Sequence, residues 1–263
     1  MERRENKRDN ESFNDRNENL IVGRNAVMEA LKAGRVIDTL MVARGDRSGS
    51  ISKIVAMCRE KNIVIKEVDN KKLDFMCGRN SHQGVAAYAA AHEYSTVQDM
   101  LNLAKERGEK PFLIVCDELE DPHNLGAIIR TAETAGVHGV IVPKRRSASL
   151  SYAVSKTAAG ALEYVPVARV SNLAATLDEL KAEGVWIYGA DMGGDNWCET
   201  DYDGAVALVI GSEGNGLSRL VREKCDFIVS LPMKGHITSL NASVAAGIMM
   251  YEVARQRGNI KAK

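Results

Sequence analysis

The chain has 263 residues, 45% hydrophobic and 27% charged, with 35 Lys/Arg against 35 Asp/Glu, an ordinary make-up for one large or two modest folded domains. No apolar run nears the roughly 20 residues that span a bilayer, and the charged N-terminus lacks the apolar stretch of a secretory signal. Five scattered cysteines without C-x-x-C spacing, and no histidine pair at ligand spacing, predict no zinc site, no metal, no redox dithiol and a reducing, cytoplasmic setting.

Residues 1–19, MERRENKRDNESFNDRNEN, cannot bury enough surface to offset their ordering entropy and predict a disordered tail of net charge −1. Residues 20–92 predict a compact α/β module. Ala26–Ala33 puts Val27, Ala30 and Leu31 on one helical face and stops at Gly34. Thr39–Ala43 reads as a strand. Ile51–Lys61 reads as a helix capped by Ser50, with Ile51, Ile54, Val55 and Cys58 on one face. Ile63–Val68 and Val85–Ala91 read as further strands. This module carries +5 and residues 93–263 carry −4. That asymmetry points to a polyanion on the first module and other chemistry on the second.

The stretch AHEYSTVQDM reads as a hinge. Beyond it, helices at Val97–Lys105, Asn124–Ala135, Tyr152–Gly160, Leu173–Ala182, Ser218–Lys224 and Ser239–Arg255 alternate with strands. The strands are Phe112–Cys116, Gly139–Val142, Val165–Val167, Val185–Gly189, Ala205–Ile210 and Phe227–Leu231. The alternation predicts a parallel, Rossmann-like sheet, and runs such as LIVC and ALVI fit strands buried on both faces.

In such a sheet ligands sit at the carboxyl ends of the strands, and three strands here end in unusual polar chemistry. DPHNLGAIIRTAETAG (121–136) offers Asn124 as a natural N-cap, Gly126 as an opening for a close approach to the first turn, and Arg130 two turns in, with Glu133 or Thr134 as its ordinary surface partners. LVIGSEGNGLSR (208–219) is a glycine-rich loop in the order G-x-x-G-x-G, with Glu213 inside it. A carboxylate there is unsuited to a pyrophosphate, and the G-x-G-x-x-G fingerprint of a nicotinamide enzyme is absent. SLPMKGHITSLNASVAAGIMMYE (230–252) puts Ser239 and Asn241 at a helix start, with Met249 and Met250 as core.

In this order and spacing, N-L-G-A-I-I-R-T-A-E, I-G-S-E-G-N-G-L and L-P-M-K-G-H-I-T-S-L-N-A-S-V-A resemble the three motifs of the SpoU/TrmH-type RNA 2′-O-ribose methyltransferases, over roughly residues 110–257. The basic module ahead, opening IVGRNAVMEAL, resembles the L30e-like RNA-binding domain of one subgroup, whose bacterial members methylate a guanosine ribose in 23S ribosomal RNA. The resemblance implies an α/β fold with a C-terminal trefoil knot over 93–263 and S-adenosylmethionine held in the loops of the knot. By position the cofactor would meet Gly211, Leu231, Leu240 and Met233, with Ala190, Asp191 and Met192 nearby. Such a ligand has no phosphate and carries a sulfonium cation, so Glu213 is tolerable in the loop.

The resemblance also implies a homodimer through the C-terminal helix, with Val244, Ile248, Tyr251 and Met249 or Met250 as its apolar stripe. Arg130, Asn124, Glu213, Ser239 and Asn241 are its implied catalytic set. Arg130 is either the base that takes the ribose proton or a permanent cation that steadies a phosphate or the developing alkoxide, with Glu213 or a substrate phosphate taking the proton. Transfer RNA, another ribosomal site and a non-catalytic RNA-binding role remain as alternatives. Arg24, Arg44, Arg47, Lys53, Lys66 and the stretch Arg79–Gly84 are candidates for touching RNA.

Overall fold

The computed structural model describes residues 19–45, 49–78, 81–90 and 92–258. The predicted tail, except Asn19, lies outside the described residues, as do Arg47, Arg79, Asn80 and Ala91. The chain forms two compact units: the first runs to Glu93 and takes in Ser149–Ala153, and the second comprises Tyr94–Ala148 and the chain from Val154 onward.

The first unit runs β1 (Leu20–Val22), α1 (Arg24–Lys32), β2 (Ile37–Ala43), α2 (Ser50–Glu60), β3 (Val64–Val68), α3 (Asn70–Cys77) and β4 (Val85–Ala89). Its sheet order is β1-β4-β2-β3, with β2 and β3 parallel and the other pairs antiparallel. Val27 and Leu31 of α1 and Ile51, Ile54 and Cys58 of α2 bury against Leu40, Val42, Val85 and Ala87, as their helical spacing predicts; Ala30 is only partly buried. The alternate strand positions, Ala43 and Ala86, meet Leu73 and Cys77 of α3, so the period-two pleat is covered on both faces.

α3 and β1 are not among the elements that the sequence predicts. NKKLDFMC buries only Leu73 and Cys77, and its clearest signal is the cap, where Asp69 accepts from Lys72 N at 2.7 Å. The Ser50 cap is corrected: Gly49 is the N-cap residue, without a side-chain bond, and Ser50 already lies inside the helix.

The second unit runs α4 (Val97–Glu106), β5 (Phe112–Cys116), α5 (Pro122–Thr134), β6 (Gly139–Pro143), α6 (Tyr152–Ala158), a 3-10 turn (Ala161–Glu163), β7 (Val167–Val170), α7 (Leu173–Ala182), β8 (Trp186–Asn196), β9 (Val206–Ile210), α8 (Arg219–Lys224), β10 (Phe227–Ser230) and α9 (Ala242–Gln256). The stretch read as a hinge is built into this unit from Ser95 onward. Ser95 bridges Ala168, and Thr96 with Asp99 forms a reciprocal capping box that starts α4.

All six strands are parallel, in the order β10-β8-β9-β5-β6-β7. β5 and β9 are buried along their whole length, as continuous apolar runs require. From β5 the chain winds outward through β6 and β7, while β9 and β8 fill the other side. The order therefore reverses between β5 and β9, where an open parallel sheet leaves a crevice at its carboxyl edge.

Two features shape that edge. β8 runs beyond the predicted Gly189 to Asn196, but its ladder with β10 jumps from Gly189↔Ile228 to Asp195↔Val229. Residues 190–194 therefore stand out of that ladder. Gly126 in α5 admits α6: a Cβ there would lie 2.6 Å from Thr157 Cβ and 2.9 Å from Val154 O. The partner expected at Gly126 is thus a second helix.

Candidate functional site

A cleft of about 250 Å³ opens at the carboxyl edge of the second unit's sheet. Its walls come from three consecutive strand ends. Ala190, the last residue of β8 paired with β9, is followed by Asp191 and Met192, Gly211–Gly216 follow β9, and Leu231, Met233 and Thr238–Leu240 follow β10. Ala242, Ala245 and Met249 of α9 close one side. Every residue assigned by sequence to the cofactor lines this one cleft: Gly211, Leu231, Leu240, Ala190, Asp191, Met192 and Met233.

The glycine loop is tightly pinched. Ser212 and Gly216 exchange two backbone hydrogen bonds of 3.0 Å, and Gly211 lies so close beneath them that a Cβ would overlap the Gly216 carbonyl. Gly216 has φ +63°, and a Cβ on it would sit 3.0 Å from the Asp191 carboxylate. Asp191 is held in turn by Arg222 of α8 at 2.8 Å. That ion pair went unread in the sequence, because the two residues are 31 positions apart and only the fold joins them.

Glu213 is a tie between three chain segments. Its Oε1 accepts from Asn124 Nδ2 at 3.0 Å, from Asn241 Nδ2 in a very short contact, and from Ala242 N at 3.4 Å. Asn241 Nδ2 also donates to Asn124 Oδ1 at 2.9 Å. The two asparagines and the carboxylate thus close a triangle joining the first turn of α5, the glycine loop and the start of α9. Each amide serves as donor and acceptor at once, as only Asn or Gln can.

Two capping expectations change. Asp121 caps α5, accepting from His123 N at 2.9 Å. Asn124 is an interior residue, 5% exposed, and its amide is free to reach Glu213. Asn241 does cap α9, accepting from Ser243 N and Val244 N. Ser239 does not share that role: α9 starts at Ala242, and Ser239 sits in the exposed loop on the cleft wall.

Arg130 is exposed on α5 and makes no side-chain hydrogen bond or ion pair among the described residues. The surface pairing with Glu133 or Thr134 is absent; Thr134 Oγ1 donates instead to Thr131 O at 2.9 Å. Six residues past Asn124, Arg130 stands about 9 Å further along the helix axis.

The cleft suits a nucleoside with a cationic centre. Met192, Met233 and Leu240 present exposed apolar surface, the glycine loop presents main chain, and Asp191 and Glu213 supply carboxylates. Among the described residues no group of His, Cys, Asp and Glu could hold a metal ion, and no helix is long and apolar enough to cross a membrane.

In the first unit, the turn before β4 is ordered. Arg24 Nε donates to Gln83 O at 2.7 Å. Gly84 N donates to His82 Nδ1 at 3.0 Å, which leaves the ring proton on Nε2, facing Asp74 at 2.9 Å. Arg44, Lys53 and Lys66 are exposed.

Two family models match the chain. The SpoU rRNA Methylase family covers residues 111–251, and the RNA 2′-O ribose methyltransferase substrate-binding family covers residues 20–95. A Bacillus subtilis (strain 168) protein described as the TrmH family tRNA/rRNA methyltransferase YacO is 48% identical over 241 residues, covering 91% of this chain and 96% of that protein. A similarly described Staphylococcus aureus (strain MSSA476) protein is 47% identical, with 92% and 97% covered. Among solved structures, the SpoU methyltransferase AviRb of Streptomyces viridochromogenes in complex with AdoMet aligns at a TM-score of 0.58 and 26% identity, over 92% of this chain and 91% of that one. An AdoMet-bound rRNA methyltransferase from Sinorhizobium meliloti aligns at 0.56 and 26%, over 90% and 86%.

Proposed function

Because the chain belongs to the SpoU rRNA methylase family of S-adenosylmethionine-dependent RNA methyltransferases, we propose that it methylates the ribose 2′-hydroxyl of a guanosine in 23S ribosomal RNA, in the cytoplasm. The observation that carries the reading is the clamp of Asn124, Glu213 and Asn241, which binds the motif helix, the glycine loop and the last helix into one wall of the cleft. The C-terminal knot implied by the motifs belongs to the same proposal.

The cofactor, when bound, supplies a methyl group already activated on a sulfonium. The protein's task is then to orient the ribose and deal with its proton. Gly211, Leu231, Leu240, Met233 and the 190–192 segment hold the nucleoside. A guanidinium stays charged in proteins, so Arg130 serves as a fixed cation, gripping a phosphate or stabilising the alkoxide as it forms. Glu213 commits one oxygen to three donors and keeps the other for accepting a proton. Ser239 and the two asparagines orient these groups.

Residues 20–92 select the RNA and residues 93–263 do the chemistry, since a module of charge −4 gains nothing from net attraction to a polyanion. In a deletion strain, mapping of ribose methylation should show one missing guanosine in 23S RNA, restored by the gene. A missing site in transfer RNA would move the target there, and no missing site would refute the reading. Residues 93–263 alone should bind S-adenosylmethionine yet bind RNA weakly, losing roughly 0.7–0.9 of log–log salt slope per phosphate contact removed. Full-rate methylation by that fragment would overturn the division of labour.

The same proposal includes a homodimer. Val244 and Tyr251, 49% and 41% exposed, flank half-buried Ile248 on α9. Met249 and Met250 are not part of this stripe, since both are buried in the subunit's own core. At micromolar concentration, sedimentation should give a two-chain mass, and a Tyr251→Glu variant should sediment as one chain. A wild-type monomer would refute the assignment.

A further inference from the structure

Asp117 follows β5 directly and is 3% exposed. Its backbone N donates to Ile210 O at 2.8 Å, and its Oδ2 accepts from Ser218 N at 2.7 Å. Ile210 and Ser218 are the two feet of the glycine loop: the chain leaves the sheet at one and enters α8 at the other. One residue thus grips both ends of the segment that forms a wall of the cleft. Ser218 is the N-cap residue of α8 and makes no side-chain cap, and the carboxylate of Asp117 holds it through its backbone N–H.

A carboxylate is costly to bury, and burial is the largest influence on Asp117, pushing its pKa up. The fold bears that cost at a position that lines no part of the cleft itself. A purely mechanical filler would be apolar here, like the four residues before it, which are all fully buried.

The geometry points to Asp117 as a positioning residue that presets the glycine loop for the cofactor by fixing its exit at Ser218. The proposal rests on the cleft being the S-adenosylmethionine site. It deepens that reading by assigning affinity to a residue that never touches the ligand. Without the carboxylate the Ser218 N–H loses its acceptor, and the loop from Gly211 to Leu217 is anchored at one foot only. The loop then samples other spans, and binding must first select the right one.

The test uses the full chain and two readouts. Titration calorimetry with S-adenosylmethionine should show Asp117→Ala weakened about tenfold or more, and Asp117→Asn, which keeps an acceptor oxygen, within about threefold of wild type. Turnover of Asp117→Ala at saturating cofactor should stay near the wild-type value, so that KM rises while kcat holds. Amide hydrogen exchange, which needs no ligand, should speed up at residues 211–218 in Asp117→Ala and nowhere else in the sheet.

If Asp117→Ala fails to fold, Ser218→Pro removes the same hydrogen bond from the donor side; its φ of −63° suits proline. Unchanged loop exchange or unchanged affinity in these variants overturns the proposal, as does an Asp117→Asn variant as weak as the alanine. Wild-type protein that ignores S-adenosylmethionine while the exchange result holds would instead refute the reading of the cleft.

Discussion

Arg130→Ala should lower methyl transfer by roughly 10²–10³-fold, the loss typical when one preorganised transition-state donor is removed, and leave the affinity for S-adenosylmethionine within about twofold. Arg130 lines no part of the cleft, and nothing among the described residues neutralises its charge. An unpaired guanidinium on the helix that carries Asn124 is available to a substrate group and to little else. Replacing it removes no packing and leaves no buried partner stranded, so the fold should melt within a degree or two of wild type. Arg130→Lys should be almost as slow, because an ammonium cannot reproduce the planar, two-pronged donor. Single-turnover methylation paired with calorimetry checks both halves. Cofactor affinity lost together with activity would mean that Arg130 belongs to the cleft.

Gly211→Ala should do the reverse and strike binding first. The added methyl would overlap the Gly216 carbonyl and sit 2.6 Å from Leu217 N. Both obstacles are backbone, so no rotamer change relieves them, and the pinch between Ser212 and Gly216 must open. Forcing one methylene into packed surroundings costs about 1–3 kcal/mol, which is roughly 5- to 150-fold in affinity if the loop carries the whole strain. Glu213 would be displaced with the loop, so methylation should fall further than binding. Equilibrium titration of the variant decides the matter, and wild-type affinity would show that the loop is looser than its geometry.

Much of this site can be read in the chain because its parts are local. A strand that ends in Gly-Ser-Glu-Gly-Asn-Gly signals its loop within nine residues. The same holds for Asn241, where an N-cap and its helix are neighbours in sequence. What resisted reading was of two kinds. Asn124 looked like a cap because it precedes a helical pattern, but Asp121-Pro122 had already begun the helix, since proline suits its first position. The second kind is contact at a distance. Asp191 with Arg222, Asp117 with Ser218 and Asn124 with Glu213 join positions 31, 101 and 89 residues apart. No periodicity marks such pairs. Similarly, α3 was overlooked because its two leading lysines hide an amphipathic pattern that buries only Leu73 and Cys77.

The sheet borders carry a consequence for how copies of this protein can meet. The six-stranded sheet ends on β7 and β10, each of four residues, and the smaller sheet ends on β1, of three, and β3, of five. Short borders give an incoming strand too few free N–H and C=O groups to extend the ladder, which is how natural sheets avoid templated aggregation. Self-association is thereby steered away from main-chain recognition, which is blind to sequence, and toward side-chain surfaces, which are selective. An enzyme that must meet a large, charged polymer at high local concentration gains solubility from this. In the proposed homodimer the exposed face of the last helix is the side-chain surface left for this meeting.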